Sequence, residues 1–297
     1  MIEVVFLGTS SMVPTKERNH SSIFISYGID GILFDCGEGT QRQFKIAGIN
    51  PNRVTKILIS HWHGDHVLGL PGLLQTLASN KYDKALEIYG PKGTVKNIKY
   101  LFKAFYFLNT INMKVIEIKK KKFFENDEYY FEAYALEHKV PCMGFRFVEK
   151  DRRKVDMQKA KKLGLSEGPL IGELQQGKSV VWNGKKIIPQ QVTYVQKGRV
   201  IAYISDTNKC DNCLKIAKDA DLLISEATFE SKLDEKAEEY THMTAKDAAM
   251  IANRANAKKL VLTHFSQRYK TVDEIKEEAV VYFPNTLCAY DFMKVNV

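Results

Sequence analysis

The chain has 297 residues, enough for one large core or two modest ones. An apolar fraction of 44% beside 27% charged residues is ordinary for a soluble globular protein. No run of 18 apolar residues exists, which excludes a helical membrane span. The formal charge of +9 fits a polyanionic partner, and five irregularly spaced cysteines point to a reducing compartment, so a cytoplasmic location is expected.

The opening stretch from Met1 to Gly8 lacks a basic leader and soon meets polar residues, so it reads as a strand and not a signal peptide. Strand-like runs follow from Ser22 to Tyr27 and from Gly31 to Asp35. A helix is expected from Glu38 to Ala47 and a buried strand from Val54 to Ser60. Leu70 to Ser79 reads as a helix with Pro71 tolerated in its first turn. Leu86 to Gly90 is a strand, Thr94 to Phe107 a helix, and Tyr129 to Leu136 and Gly144 to Val148 further strands. The second half alternates. Strands are expected at Val200 to Ser205, Leu222 to Ser225 and Leu260 to Thr263, and helices at Asp211 to Asp219, Thr244 to Ala255 and Val272 to Ala279. This order predicts an α/β sandwich, with sheets inside and helices outside, as a single domain over residues 1–297.

The section from Lys150 to Arg199 has a different composition. It holds twelve basic residues against four acidic ones, a net of +8 and nearly all of the chain's charge. Gly164 to Pro169 is rich in turn residues and is expected to form no core element. Val180 to Ile188 reads as a hairpin around Asn183-Gly184. The section is expected to be a flexible, protruding basic arm inserted in the domain. A merely solvated insertion is the plainer alternative.

Seven histidines are available, and three of them fall in Ser60-His61-Trp62-His63-Gly64-Asp65-His66, directly after the apolar run from Val54. Histidine is the commonest side-chain metal ligand, and packing alone does not explain four donors within six residues. His61 and His63 can converge on one ion, with Asp65 and His66 turned to a second. Such a pair needs an acidic bridge and further ligands. His138, Asp206 and His264 each end a strand-like segment and are the remaining candidates. A single structural zinc is disfavoured because such sites are usually closed and cysteine-rich. Cys210 and Cys213 have half of a zinc-knuckle spacing without a second pair. They read as incidental thiols at a helix start, with Asp211 as a candidate cap.

His61 to His66 resembles the signature of the metallo-β-lactamase superfamily, and Phe34 to Gly39 extends the match upstream. Within that superfamily the chain is similar to the short form of the ribonuclease Z family, endonucleases that trim the 3′ trailer from precursor tRNA. Pro14 to Asn19 fits that family's PxKxRN loop and His138 to Phe145 its HxxPxxGY/F stretch. Ser225 to Phe229 with Thr241 to Thr244 resembles its EAT and HxT elements.

The resemblance implies a metallo-β-lactamase-like αββα sandwich and two zinc ions per subunit, with manganese or iron still open. It implies His61, His63 and His138 on one ion, Asp65, His66 and His264 on the other, and Asp206 between them. Asp65 is implied as general base, and His242, supported by Glu226, as an aid at the leaving oxygen. Asp35 is expected to orient a ligand histidine. Lys16, Arg18 and Asn19 are expected to meet phosphates, while His20 is expected to pack or cap. The arm, with Gly168 and Pro169, resembles the family's exosite. A precursor tRNA substrate and a homodimer follow from the resemblance alone. The expected products are a 3′-hydroxyl on the tRNA and a 5′-phosphate on the trailer. The competing expectation is another hydrolase of this fold acting on small phosphodiesters. A further alternative is an RNA-binding protein with a purely structural metal.

Overall fold

The computed structural model describes residues 2–106 and 110–297, so Met1 and the expected helix end at Phe107 lie outside the described residues. Two compact units divide the chain. The larger holds residues Met1–Phe124, Phe131–Phe147 and Val200–Val297, and the smaller holds Glu125–Tyr130 and Val148–Arg199.

The larger unit is built on two seven-stranded sheets among the described residues. The first runs, strand by strand, Lys294–Asn296, Glu3–Gly8, Ser22–Tyr27, Asp30–Phe34, Val54–Leu58, Leu86–Gly90 and Met113–Glu117. Its early strands are antiparallel hairpin partners. From Asp30–Phe34 onward the pairing is parallel. The second sheet runs Thr286–Cys288, Leu260–Thr263, Leu222–Glu226, Val200–Ile204, Cys142–Glu149, Tyr129–Leu136 and Lys122–Glu125. The central strands Leu222–Glu226 and Leu260–Thr263 are buried at every position because both faces are covered, which is why they read as unbroken apolar runs. Tyr129–Leu136 alternates instead, as a strand with one exposed face must.

Aromatic side chains fill the space between the sheets. Phe34 of the first sheet stacks on Tyr203 of the second, with ring centroids 5.3 Å apart, and meets Phe145 at 5.8 Å. Phe34 is fully buried, and truncating such a side chain to alanine costs about 3–5 kcal/mol. Helices Thr40–Ile46 and Leu70–Ser79 close the outer face of the first sheet through Phe44, Leu70, Leu73, Leu74 and Leu77. Helices Asp211–Ala217, Ala245–Arg254 and Asp273–Tyr282 close the outer face of the second. The αββα expectation therefore holds.

Several elements depart from the sequence expectation. Strands Met113–Glu117, Lys122–Glu125, Thr286–Cys288 and Lys294–Asn296 are short edge or near-edge strands with partly exposed residues, which carry little apolar signal. Helix Asp234–Tyr240 was missed because only Ala237 within it is buried. Asp211 is not a cap. Cys210 holds the cap position without a side-chain bond, and Asp211 lies in the first helical turn.

The smaller unit has its own apolar cluster of Ala160, Leu165, Leu174, Val180, Ile187 and Val192. Arg152–Val155 pairs antiparallel with Thr193–Gln196. The expected hairpin forms between Val180–Trp182 and Lys185–Ile187, with Asn183 and Gly184 both at positive φ, as a tight primed turn demands. The turn-rich centre was expected to form no core element, yet Leu165 is buried and Pro169–Gln175 is a helix with proline in its first turn. The reason is local: Leu165 and Leu174 have apolar partners within this unit itself.

Candidate metal centre and active site

Parallel strands deliver their carboxyl ends to one rim, and ligands gather there. His61 follows Val54–Leu58, Asp206 follows Val200–Ile204, Glu226 ends Leu222–Glu226 and His264 follows Leu260–Thr263. His264 has φ of 62°, a left-handed backbone that non-glycine residues adopt at a cost of about 1–3 kcal/mol, and its ring closes the cluster.

Two donor groups result. In the first, Nε2 of His61 lies 3.1 Å from Nδ1 of His63, which lies 3.2 Å from Nε2 of His138. In the second, Nε2 of His66 lies 3.2 Å from Nε2 of His264, and Oδ2 of Asp65 lies 3.4 Å and 3.3 Å from those two nitrogens. Asp206 divides its carboxylate between the groups. Oδ2 faces His61 at 3.7 Å and His138 at 4.0 Å, while Oδ1 faces His66 at 3.4 Å and His264 at 3.3 Å.

These donors fit divalent ions. Zinc–nitrogen bonds of about 2.0–2.1 Å set neighbouring tetrahedral ligands about 3.3 Å apart, close to the spacing within the second group. Oδ1 of Asp206 is buried and has no hydrogen-bond partner, so a positive ion there would satisfy it. Burial holds His61, His63 and His138 below the usual imidazole range, in the neutral form that binds metal. Burial opposes ionisation of Asp206 and Asp65, but the surrounding histidines hold both carboxyls below the usual range.

The ring nitrogens facing away are also held. Nδ1 of His66 meets Oδ2 of Asp35 at 2.9 Å, Nδ1 of His61 meets Ser60 Oγ at 3.0 Å, and Nδ1 of His138 meets the Thr241 carbonyl at 3.0 Å. Thr228 Oγ1 lies 3.0 Å from Nδ1 of His264 and donates to Glu226 at 2.6 Å. Such partners fix ring orientation. Thr228 and Thr241 lie inside the EAT and HxT stretches, so a signal for them existed. Ser60 and Tyr203, which also donate to Asp35, had no signal in the sequence.

His242 stands beside the second group, with Nδ1 3.0 Å from Oε1 of Glu226 and 4.0 Å from Oδ2 of Asp206. Burial opposes its charge, but Glu226, Asp206 and Asp65 outweigh this and push its pKa up to about 9. A cleft of about 490 Å³ opens over the cluster and reaches Lys139, Lys236 and Arg268. Lys139 and Lys236 lie over the Tyr240 ring, and Arg268 over Phe229, at 5.2, 5.8 and 5.1 Å from the centroids.

The Pro14 to Asn19 loop differs from expectation at Arg18. Its side chain is buried and Nη2 donates to the carbonyls of Ser266 and Tyr269 at 3.3 Å and 2.6 Å. It therefore binds the chain's own backbone, leaving Lys16 as the exposed cation of the loop. Asn19 donates to the Glu38 carbonyl and, through its backbone, to Asp291. His20 is buried against the Met12 carbonyl, a packing role as expected. Gly168 and Pro169 are exposed in the smaller unit. Cys210 and Cys213 stand apart from the donor groups, with sulfurs 3.6 Å apart.

A family model described as Beta-lactamase superfamily domain matches residues 189–265, and one described as Anti-Pycsar protein Apyc1 matches residues 2–163. The ribonuclease Z of Methanothermobacter thermautotrophicus is 42% identical over 298 residues, covering all of this chain and 97% of its own. The chain belongs to the ribonuclease Z family. The ribonuclease Z of Archaeoglobus fulgidus is 40% identical over 302 residues, covering all of this chain and 98% of its own. The crystal structure of human tRNase Z, short form, is similar with a TM-score of 0.73 and 29% identity, covering 99% of each chain. As a ribonuclease Z family member, the chain carries a metallo-β-lactamase fold with a His/Asp cluster suited to divalent metal.

Proposed function

We propose that this chain is a zinc-dependent endoribonuclease that removes the 3′ trailer from precursor tRNA. The observation that carries the reading is the shared Asp206 carboxylate, set between two ligand groups beside the His242–Glu226 pair. The full-length relatives named ribonuclease Z support the substrate. His61, His63 and His138 would hold one ion, and Asp65, His66 and His264 the other, with Asp206 to both. Such an ion pair supplies a water nucleophile at neutral pH and charge for the phosphoryl oxygens.

The chain's own residues do the rest. Asp65 lines the open cleft and accepts a proton from the attacking water. His242, kept charged by Glu226, gives a proton to the departing 3′ oxygen, so the tRNA leaves with a 3′-hydroxyl and the trailer with a 5′-phosphate. Lys139, Lys236 and Arg268 bring positive charge to the cleft wall, and Lys16 is exposed on the loop that follows the cleft residues Ser11, Met12 and Val13. The basic unit at Val148–Arg199, including Gly168 and Pro169, serves as an exosite that holds the folded RNA by backbone contacts. The enzyme acts as a cytoplasmic homodimer. Among the described residues no helix is long and apolar enough to cross a membrane.

A cleft of about 490 Å³ is also large enough for a small phosphodiester, the competing reading. A precursor tRNA with a 3′ trailer separates the two. Metal-dependent cleavage after the discriminator base supports the proposal. Turnover of a small chromogenic phosphodiester with no cleavage of the precursor overturns it.

A further inference from the structure

A second groove, of about 980 Å³, lies between helix Thr94–Ala104 and the edge strand Met113–Glu117. Its apolar floor includes Val95, Phe102, Val115 and Ile116, and its walls carry Lys96, Lys99, Lys103, Lys119 and Tyr100. Lys96, Lys99, Tyr100 and Lys103 are spaced three, four and seven residues apart, so they form one stripe along the helix. Like charges at this spacing destabilise a helix, and Thr94–Ala104 holds no acidic residue to offset them.

Among the described residues Glu117 is the one carboxylate in the lining, and its Oε1 accepts from the backbone N–H groups of Gly93 and Val95 at 2.9 Å and 3.3 Å. It caps the helix start, so its charge is taken up by backbone N–H groups, while the Lys96 ammonium lies 5.5 Å from the centroid of the Tyr100 ring. Tyr100 is 56% exposed among the lysines. An apolar floor with an exposed ring and a line of ammonium groups matches a single-stranded nucleic acid. Bases stack on the ring while phosphates follow the lysines. A duplex hides its base faces and gains nothing from Tyr100.

The groove starts beside the catalytic loop. Trp62 sits between His61 and His63, and its Nε1 donates to Thr94 Oγ1 at 2.9 Å, at the first turn of the groove helix. Leu86–Gly90 and Met113–Glu117 run parallel to Val54–Leu58, so the groove's end at Glu117 and Lys119 faces the same rim as the ligands.

We propose that this groove is the track for the single-stranded 3′ trailer, taking the nucleotides downstream of the scissile phosphate. The inference rests on the tRNA-processing reading for the identity of the strand. The presence of a single-strand site is independent of it.

The test combines binding and cleavage. A labelled single-stranded RNA of twelve uridines, about the site size of other single-strand binders, is titrated by fluorescence anisotropy. The wild-type chain is compared with Tyr100→Ala and with Lys96→Ala/Lys99→Ala/Lys103→Ala. Tyr100→Ala is expected to bind roughly five- to a hundredfold more weakly at an unchanged salt slope. The triple variant is expected to lose about two units of that slope, as three lost phosphate contacts require. Precursors with trailers of two and twelve nucleotides are then cleaved. The triple variant is expected to raise KM for the long trailer by about tenfold or more while the short one is cut as by the wild type. Equal effects of the variants on duplex and single-stranded RNA, or an unchanged KM for the long trailer, would overturn the track. Oligonucleotide binding that depends on Tyr100 without any precursor cleavage would sink the tRNA reading and leave the single-strand site standing.

Discussion

Oδ2 of Asp35 lies 2.9 Å from Nδ1 of His66, with both side chains fully buried, and this one contact ties the end of strand Asp30–Phe34 to the ligand loop. Asp35 itself is fixed by the Ser60 N–H at 2.7 Å, the Ser60 hydroxyl at 2.8 Å and the Tyr203 hydroxyl at 2.9 Å. The carboxylate turns Nε2 of His66 toward Asp206 and raises the basicity of the ring.

Asp35→Asn should therefore weaken metal binding by about 10- to 100-fold without unfolding the protein. Asparagine suits the test because Asp35 has φ of 56°, a left-handed conformation that asparagine also tolerates. Competition with a chromogenic chelator reads the affinity directly. Unchanged metal content in the variant would show that His66 needs no orienting partner.

Glu226→Gln tests the charge on His242. With a pKa pushed up from 6.5 to about 9, His242 contributes stability that is present in full below 6.5 and is lost as pH rises through about 9. Removing the Glu226 charge takes away its strongest raising cause. The basic limb of kcat/KM against pH should then move to lower pH, while the metal content stays unchanged. A basic limb that does not move would reassign the proton donor. Loss of metal in His242→Ala would instead make His242 a ligand.

Lys16→Ala and Arg18→Ala should separate, although both lie on one loop. Arg18 satisfies the buried carbonyls of Ser266 and Tyr269. Its truncation should cost about 1–3 kcal/mol in urea denaturation. Lys16 is exposed, so its truncation should leave stability unchanged and lower the salt slope of RNA binding by about one unit. If Arg18→Ala is as stable as the parent chain yet binds RNA poorly, the buried role assigned to it is wrong.

Arg18 also marks the limit of what the sequence showed. The His61 to His66 string, with three later donors at strand ends, announced the cluster because metal ligands are specific in type and spacing. The parallel strands were legible as apolar runs because helices cover one face of each sheet and the other sheet covers the second face. A cation's destination is set by distant backbone, here 248 residues away for Ser266, and no local pattern encodes that. Ser60 and Tyr203 were hidden for the same reason, as ordinary residues that matter through Asp35 and, for Ser60, through His61 as well. The short strand Met113–Glu117 was hidden by its edge position, and with it the groove it forms.

Removing most of the smaller unit tests the division of labour between chemistry and RNA holding. The structure suggests where to cut. The Glu149 N–H bonds the Arg199 carbonyl at 2.9 Å, and the Arg199 guanidinium bonds Glu149 at 2.6 Å, so the two ends of the insertion already lie together. Joining Lys150 to Arg199 through a few glycines should leave the metal cluster intact, because every one of its donors belongs to the larger unit. Metal content and turnover of a small phosphodiester should stay within about twofold, whereas affinity for precursor tRNA should fall by about tenfold or more with a shallower salt dependence. Unchanged affinity for the precursor would remove the exosite role from this unit and leave Lys16, Lys139 and the groove lysines to hold the RNA.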